Sequence, residues 1–419
     1  MTQINPQATQ ATQAAQAAQA IGSQPNPALH AQLEDWVARD RLRGVSYAVL
    51  RGSELVDSHC AGWADREAGV RLRPDHIMRA YSNTKLVTAV ATLLLMDEGH
   101  FGLDDPIKQW IPALRDMRVL RPGAQSLDDT EPAQIDISIR HLLTHSAGFS
   151  HGVFDPDSLL YKAYHARGLR QPDTNLAELM ALMGALPLQF EPGTDWSYSM
   201  APDVLARLVE VISGQAYGEF LQQRIFGPLG MIDTGFVLRP DQRARFTALY
   251  GVADPARPIS RGLKRLDDTP YPGAWLEPRP RQSGAGGLFT TQCDMLALVG
   301  SLAGATTPGV AGLLKPATVA EMLRDQLPPD RHVMVIPGQR MRQMGFSLCG
   351  AVTRSPSAFG GPDSVGEVQW GGLAGTHWWI APAAAGGQGL AGVLMTQRLM
   401  AFWHPFWFSF KRQVHATYR

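Results

Sequence analysis

Residues 79–98 read RAYSNTKLVTAVATLLLMDE, and the architecture turns on how this stretch is read. From Leu86 to Met96 apolar residues crowd nearly every side of a helical projection, and Gly99 supplies a stop signal. A helix that is apolar all round belongs in the middle of a fold. At its mouth stands Ser82-Asn83-Thr84-Lys85. If Ser82 opens the helix, a spacing of three puts Lys85 on the same face one turn later. A serine hydroxyl becomes a competent nucleophile when a neighbouring base takes its proton. A lysine serves as that base where burial or nearby cations favour its neutral form, and the start of an apolar helix offers burial. The helix N-terminus adds backbone N–H groups and a positive dipole end for developing negative charge. Ser-x-x-Lys recurs by chance in a long chain, and the plainer alternative is an N-cap serine with a lysine reaching outward. Position is what gives this one weight.

Before this helix, ALHAQLEDWVARD (28–40) has helical periodicity, and VSYAVLRG (45–52) and ELVDSHCAGWAD (54–65) read as a strand pair across a tight turn. After it, from about 100 to 260, helical patterns are joined by Pro/Gly loops: ISIRHLLTH, NLAELMALMGAL, SMAPDVLARLVEVISG and AYGEFLQQRIFGPLG. Strand patterns then return in GFSLCGAVT (345–353), GEVQWGG (366–372), AGTHWWIAP (374–382) and GLAGVLMTQ (389–397), and a last helix starts near Pro405. No internal repeat is seen. This order predicts an α/β (α+β) fold: an antiparallel sheet flanked by helices and assembled from both ends of the chain, with an all-helical lobe inserted. The expected division is a flexible leader over 1–27, an α/β lobe from 28–100 plus 280–419, and the helical insertion over 101–279.

The 419 residues are 45% hydrophobic and 18% charged, with 38 Lys plus Arg against 38 Asp plus Glu. A net charge of zero argues against a nucleic-acid partner, which calls for a basic excess or stripe. Cys60, Cys293 and Cys349 match no zinc or redox spacing, and their odd number argues against a disulfide framework. Free thiols fit a reducing compartment. The N-terminal MTQINPQATQATQAAQAAQAIGSQPNP lacks the basic and apolar regions of a secretory signal, and no apolar run reaches membrane-spanning length. The expected location is the cytoplasm, with no membrane partner. Neither charge nor composition fixes an oligomeric state.

Other residues carry chemistry. Trp196-Ser197-Tyr198-Ser199-Met200 follows the turn Glu191-Pro192-Gly193. A tyrosine on such a loop can set its phenol beside the serine–lysine pair and relay a proton; the plainer role is packing at a lobe interface. In Trp370-Gly371-Gly372-Leu373 the paired glycines let backbone approach a ligand closely. The N–H of Leu373, aimed at the same oxygen as the N–H of Ser82, would complete an oxyanion hole; the alternative is an ordinary turn. Gly148-Phe149-Ser150-His151-Gly152 matches G-x-S-x-G, a motif that needs a strand before the serine and a helix after it. Here a helical pattern precedes and the breaker VFDPD follows, so Ser150 is not expected to be the nucleophile. His141 and His145 lie four apart without the glutamate of H-E-x-x-H, and packing or capping is expected of them rather than metal binding. Cys293 and Cys349 sit in apolar stretches and read as inert fillers.

Ser82-Asn83-Thr84-Lys85, LDDPI (103–107), SIRHLLTHSAGF (138–149), EPGTDWSYS (191–199), IFGPLGM (225–231) and GGLFTT (286–291) occur in that order. Together they make the chain resemble the serine β-lactamases and penicillin-recognising enzymes, and within them the family VIII carboxylesterases, over roughly residues 30–410. The resemblance implies a β-lactamase-like fold with the site between its lobes, Ser82 as nucleophile, Lys85 as base and Tyr198 as proton relay. Two departures stand out. Where class C β-lactamases carry Tyr-x-Asn, this chain has Met200. Where they carry Lys-Thr-Gly, it has Trp370-Gly371-Gly372. The missing amide and cation remove partners for a β-lactam, and Trp370, joined by Trp196, Trp378 and Trp379, is expected to line the site with apolar surface. Both changes favour small uncharged esters over penicillins, with weak β-lactamase activity as in some family VIII esterases. The resemblance thus implies a serine carboxylesterase working through an acyl-Ser82, without metal or organic cofactor. An acyltransferase, a β-lactamase or a D-amino-peptidase could use the same Ser-Lys-Tyr set, and a scaffold turned binding module is the non-enzymatic alternative.

Overall fold

In the computed structural model, residues 22–419 are described apart from 153–155, 253, 255–256, 258, 268–272, 305–311, 337–338, 357–363, 384–387 and 403. Residues 1–21 of the expected leader lie outside the described residues. From Gly22 onward the chain runs along the sheet: the Ser23 N–H donates to Leu55 C=O at 3.1 Å and the Gln24 N–H to Val56 C=O at 2.8 Å. Asn26 then caps helix α1 (Pro27–Ala38), its side chain accepting the N–H groups of Ala28 and Leu29.

Strands β1 (Gly44–Arg51) and β2 (Glu54–Asp65) form the expected hairpin. Six consecutive residues of β1 are buried, and alternation sorts them onto two faces. Val45, Tyr47 and Val49 point towards α1 and the C-terminal helix, while Ala48 and Leu50 point into the larger core. On its free side β1 pairs with β8 (Leu390–Thr396), Val45 opposite Thr396 and Arg51 opposite Leu390. Adding β3 (Val70–Arg71), β4 (Met344–Phe346), β5 (Ala351–Thr353), β6 (Val368–Gly372) and β7 (Thr376–Ala381) gives one eight-stranded sheet of order β4-β5-β6-β7-β8-β1-β2-β3. Its named pairings are all antiparallel. The two ends of the chain therefore interleave, as the pattern order predicts.

Helix α2 (Thr84–Asp97) runs through the large core with every residue from Thr84 to Leu95 buried. It starts later than 79 because Tyr81 takes a left-handed φ of +45° and residues 81–83 make a 3₁₀ turn instead. The stretch from 101 to 279 supplies α3 (Ile139–Leu143), α4 (Leu159–Ala166), α5 (Leu176–Gly184), α6 (Ala201–Ser213) and α7 (Tyr217–Leu221). It also holds two short ribbons, Arg118–Leu120 with Thr130–Pro132 and Tyr250–Val252 with Leu263–Arg265. Strands of three residues carry too little periodicity to be read in advance. Helices α8 (Gln292–Gly304), α9 (Pro316–Leu323) and α10 (Pro405–Tyr418) complete the chain. Among the described residues no helix is long and apolar enough to cross a membrane.

Candidate active site

The short pair of Met78–Arg79 with Phe289–Thr290 leads the chain to the mouth of α2. There the Ala80 N–H is held by Leu288 C=O at 3.0 Å, and the turn at Tyr81 lifts Ser82 to the helix start. Lys85, buried in the first turn, places Nζ 3.3 Å from Ser82 Oγ and 2.5 Å from Ala285 C=O. Tyr198 arrives from the loop before α6 and donates its hydroxyl to Ser82 Oγ at 2.8 Å. Lys85 Nζ also lies 4.6 Å from the centroid of the Tyr198 ring. Three residues singled out in the sequence thus meet at one oxygen.

Two loops packed back to back carry Tyr198. The Gln189 N–H donates to Gly148 C=O at 2.7 Å, Gly193 to Ser146 at 2.8 Å, Ser197 to His145 at 3.0 Å and Met200 to Ser150 at 3.1 Å. A Cβ at Gly148 would fall 2.4 Å from Phe190 O, so the loops meet this closely because residue 148 is glycine. His145 and His151 flank the tyrosine. His145 lies 4.9 Å from its ring and accepts the Ser199 N–H at Nδ1, 3.3 Å. His151 stacks on it at 4.8 Å. Burial, with a smaller contribution from Lys85, holds both imidazoles well below the usual histidine range, so they pack around the site as neutral groups at neutral pH. Both fall within stretches singled out in the sequence, but their contacts with Tyr198, some fifty residues on, do not show in the motifs.

Serine 82 opens onto a cavity of 340 Å³. Tyr81, Phe236, Trp275 and Leu373 are among its walls, with Met200 beside Tyr198 and with Arg170, Asp203, Glu277, Arg279 and Arg281 as charged members. Leu373 reaches it because β6 presses on the 80–81 turn: a Cβ on Gly372 would lie 2.3 Å from Ala80 O, and Thr376 Oγ1 donates to that carbonyl at 3.2 Å. Gly371 is equally crowded, a Cβ there falling 2.6 Å from His377 Nδ1.

Trp370 does not line this cavity. It is buried behind Tyr198, donating Nε1 to the tyrosine oxygen at 3.4 Å. Trp196, Trp378 and Trp379 are fully buried and also stay out of the wall. Register explains part of this: Trp370 pairs with Trp378 across β6 and β7, while Trp379 turns to the α10 face against Trp407. The tryptophan of the cavity is Trp275, edge-on to Tyr81 at 5.7 Å and donating Nε1 to Gly287 C=O at 2.9 Å. It comes from an irregular stretch with no pattern to announce it.

The remaining candidates separate. Ser150 is buried outside the cavity, its Oγ accepting the Gly152 N–H at 3.2 Å. His141 caps α3 with Nδ1 accepting the Ser138 N–H at 3.2 Å, and it forms no pair with His145. The three cysteines are unpaired, and burial pushes each thiol up to about 12.

A family model described as Beta-lactamase matches residues 28–401. Esterase EstB of Burkholderia gladioli is 30% identical over 376 residues, spanning 88% of this chain and 89% of EstB. Two solved structures share the fold. EstCE1, described as a hydrolase with promiscuous acyltransferase activity, has a TM-score of 0.72 at 22% identity, covering 97% of this chain and 99% of its own. Simvastatin synthase (LovD) from Aspergillus terreus has a TM-score of 0.75 at 24% identity, covering 94% and 98%.

Proposed function

Because the chain belongs to the beta-lactamase family, we propose that it works as a serine carboxylesterase, cleaving small-molecule esters through an acyl-Ser82 intermediate. The observation that carries this is the position of Ser82 Oγ, 2.8 Å from the Tyr198 hydroxyl and 3.3 Å from Lys85 Nζ at the edge of a largely apolar cavity. Likeness to EstB across most of both chains supports the substrate class.

The chemistry follows from those contacts. Lys85 takes the hydroxyl proton as Ser82 Oγ attacks the ester carbonyl. The N–H groups of Ser82 and Leu373 receive the oxyanion. Lys85 returns that proton through Tyr198 to the departing alkoxide, and the alcohol leaves. Water then attacks the acyl-Ser82 carbonyl, giving its proton to the same pair of groups, which pass it to the departing Ser82 Oγ, and the acid leaves with Ser82 restored. Trp370 and the two neutral histidines hold Tyr198 in place without adding charge. We take residues 28–100 with 280–419 as one lobe and 101–279 as the other, so that Ser82, Lys85 and Leu373 come from the first and Tyr198 from the second. We also assign the protein to the cytoplasm, on the strength of its three unpaired thiols.

The test is hydrolysis of 4-nitrophenyl acetate, butyrate and octanoate beside nitrocefin, for wild type and Ser82→Ala. The variant should lose about 10⁴-fold or more in kcat on the esters, and nitrocefin should turn over far more slowly than they do. Rapid nitrocefin turnover would identify a β-lactamase despite Met200 and Trp370, and ester cleavage that survives in Ser82→Ala would remove Ser82 from the mechanism. Acyl transfer uses the same intermediate, and the apolar wall favours it by admitting an alcohol beside the acyl group. Ester products that dominate in dilute alcohol would make transfer the main reaction.

A further inference from the structure

Three arginines reach the wall of the Ser82 cavity, and they are differently engaged. Arg281 is held by the neighbouring loop, donating to the carbonyls of Leu169, Gln171 and Thr174. Arg279 sits between Asp173 at 3.3 Å and Glu277 at 3.6 Å. Among the described residues Arg170 makes one hydrogen bond, from Nη1 to Gly152 C=O at 3.4 Å. Among the described residues no carboxylate comes within ion-pair distance of it. Asp203, the buried acid of the same cavity, is engaged by the Ser283 hydroxyl at 2.7 Å and the Ala285 N–H at 3.3 Å.

A guanidinium offers five N–H donors in a planar fork that matches a carboxylate. Among the described residues one of those on Arg170 is taken, by Gly152 C=O. Arg170 is exposed at the cavity wall, and a guanidinium there can meet an incoming anion with charge-assisted hydrogen bonds. The same wall carries Trp275, Phe236 and Tyr81, and His151, stacked on Tyr198, lies near enough to Arg170 to feel its charge. Behind Tyr198 the position that carries lysine in class C β-lactamases holds Trp370. One cavity therefore joins the Ser82 nucleophile, a set of apolar side chains and an arginine with which no carboxylate among the described residues forms an ion pair.

We propose that Arg170 forms an anion subsite of the catalytic cavity, selecting esters that carry a carboxylate several bonds away from the scissile carbonyl. This rests on the esterase reading and narrows it: the reacting end is uncharged and the far end is not. The residue escapes sequence inspection because Arg170 and Ser82 share only the cavity, with no motif spanning them.

Two matched pairs test it, one for each half of an ester: mono-4-nitrophenyl suberate against 4-nitrophenyl octanoate, and 6-acetoxyhexanoate against hexyl acetate. Each is measured with wild type, Arg170→Gln and Arg170→Lys, after thermal melting has verified that the variants fold. The ratio of kcat/KM, anionic over neutral, should fall about tenfold or more in Arg170→Gln for at least one pair. The fall should lie in KM, Arg170→Lys should be intermediate, and rising ionic strength should lower the wild-type ratio. The pair that responds tells whether the anion belongs to the acyl or the alcohol half. Ratios equal in all three proteins for both pairs overturn the subsite while leaving the esterase standing. Absence of Ser82-dependent cleavage of the neutral esters overturns the esterase reading itself, and this proposal with it.

Discussion

Ser82 Oγ receives two neighbours, Tyr198 at 2.8 Å and Lys85 at 3.3 Å, and each has a distinct task if its proton moves as described. Removing either group while keeping the cavity should slow acylation. Lys85→Ala and Tyr198→Phe are each expected to lower kcat on 4-nitrophenyl butyrate by about 100-fold or more with little change in KM, read by steady-state kinetics. A loss of only a few-fold in both would leave the serine without a base. The serine–lysine pair was legible because three residues on a helix make one face, a local rule that needs no tertiary knowledge. Tyr198 lies more than a hundred residues away, and family motifs rather than spacing pointed to it. Trp370 shows where local rules end: a strand pattern tells that alternate side chains share a face, but not which face meets the cavity. Arg170, and the roles of His145 and His151 beside Tyr198, were illegible for a related reason, since their neighbours are brought in by the return of distant loops.

Among the elements, α1 and α10 are secured to the sheet by one carboxylate on β2. Asp57 accepts the Asn26 N–H at 3.2 Å, His30 Nε2 at 2.9 Å, the Tyr47 hydroxyl at 2.5 Å and the Tyr418 hydroxyl at 2.6 Å. Burial alone would raise its pKa, but the two tyrosines and His30 outweigh it and leave the carboxyl below its usual range. A depressed carboxylate pKa stabilises the fold above the unfolded-state value and loses that contribution as pH falls through the folded one. Asp57→Ala strands four donors at once and should cost about 3 kcal/mol, measured by urea unfolding near neutral pH; a cost below about 1 kcal/mol would show the four contacts to be incidental. Both helices and six strand segments of the sheet were readable from periodicity, because each buries a regular face; 345–353, read as one strand, divides into β4 and β5, and two-residue β3 was not read. The knot between them was not, since it joins residues 26, 30, 47, 57 and 418, and polar convergence leaves no trace along the chain.

At the scale of the whole molecule, Asp294 in the first turn of α8 stitches the 233–234 segment to the sheet-bearing part. It accepts the Asp233 N–H at 2.9 Å and the Thr234 hydroxyl at 2.7 Å, and Thr234 in turn meets Thr290 at 2.8 Å. Burial pushes the Asp294 carboxyl up to about 7. Because the folded value lies above the unfolded one, its contribution is fully present below about pH 4 and declines as pH rises through about 7. Asp294→Asn removes that titration. Relative to wild type, the variant should gain at least about 1 kcal/mol of stability on going from about pH 5 to about pH 8, seen by denaturant unfolding at both; parallel pH profiles would mean that Asp294 is already ionised throughout. The sheet itself carries a further consequence. Strand β1 lies between β2, its immediate successor, and β8, which follows roughly 340 residues later. At ribosomal speeds of roughly 5–20 residues per second the nascent chain waits tens of seconds for that partner. Throughout this interval an almost wholly apolar strand presents an open hydrogen-bonding edge in the cell. Yield during biosynthesis therefore hinges on shielding β1 until the last strand and α10 emerge, so overexpression should benefit from slower translation or added holdase chaperones.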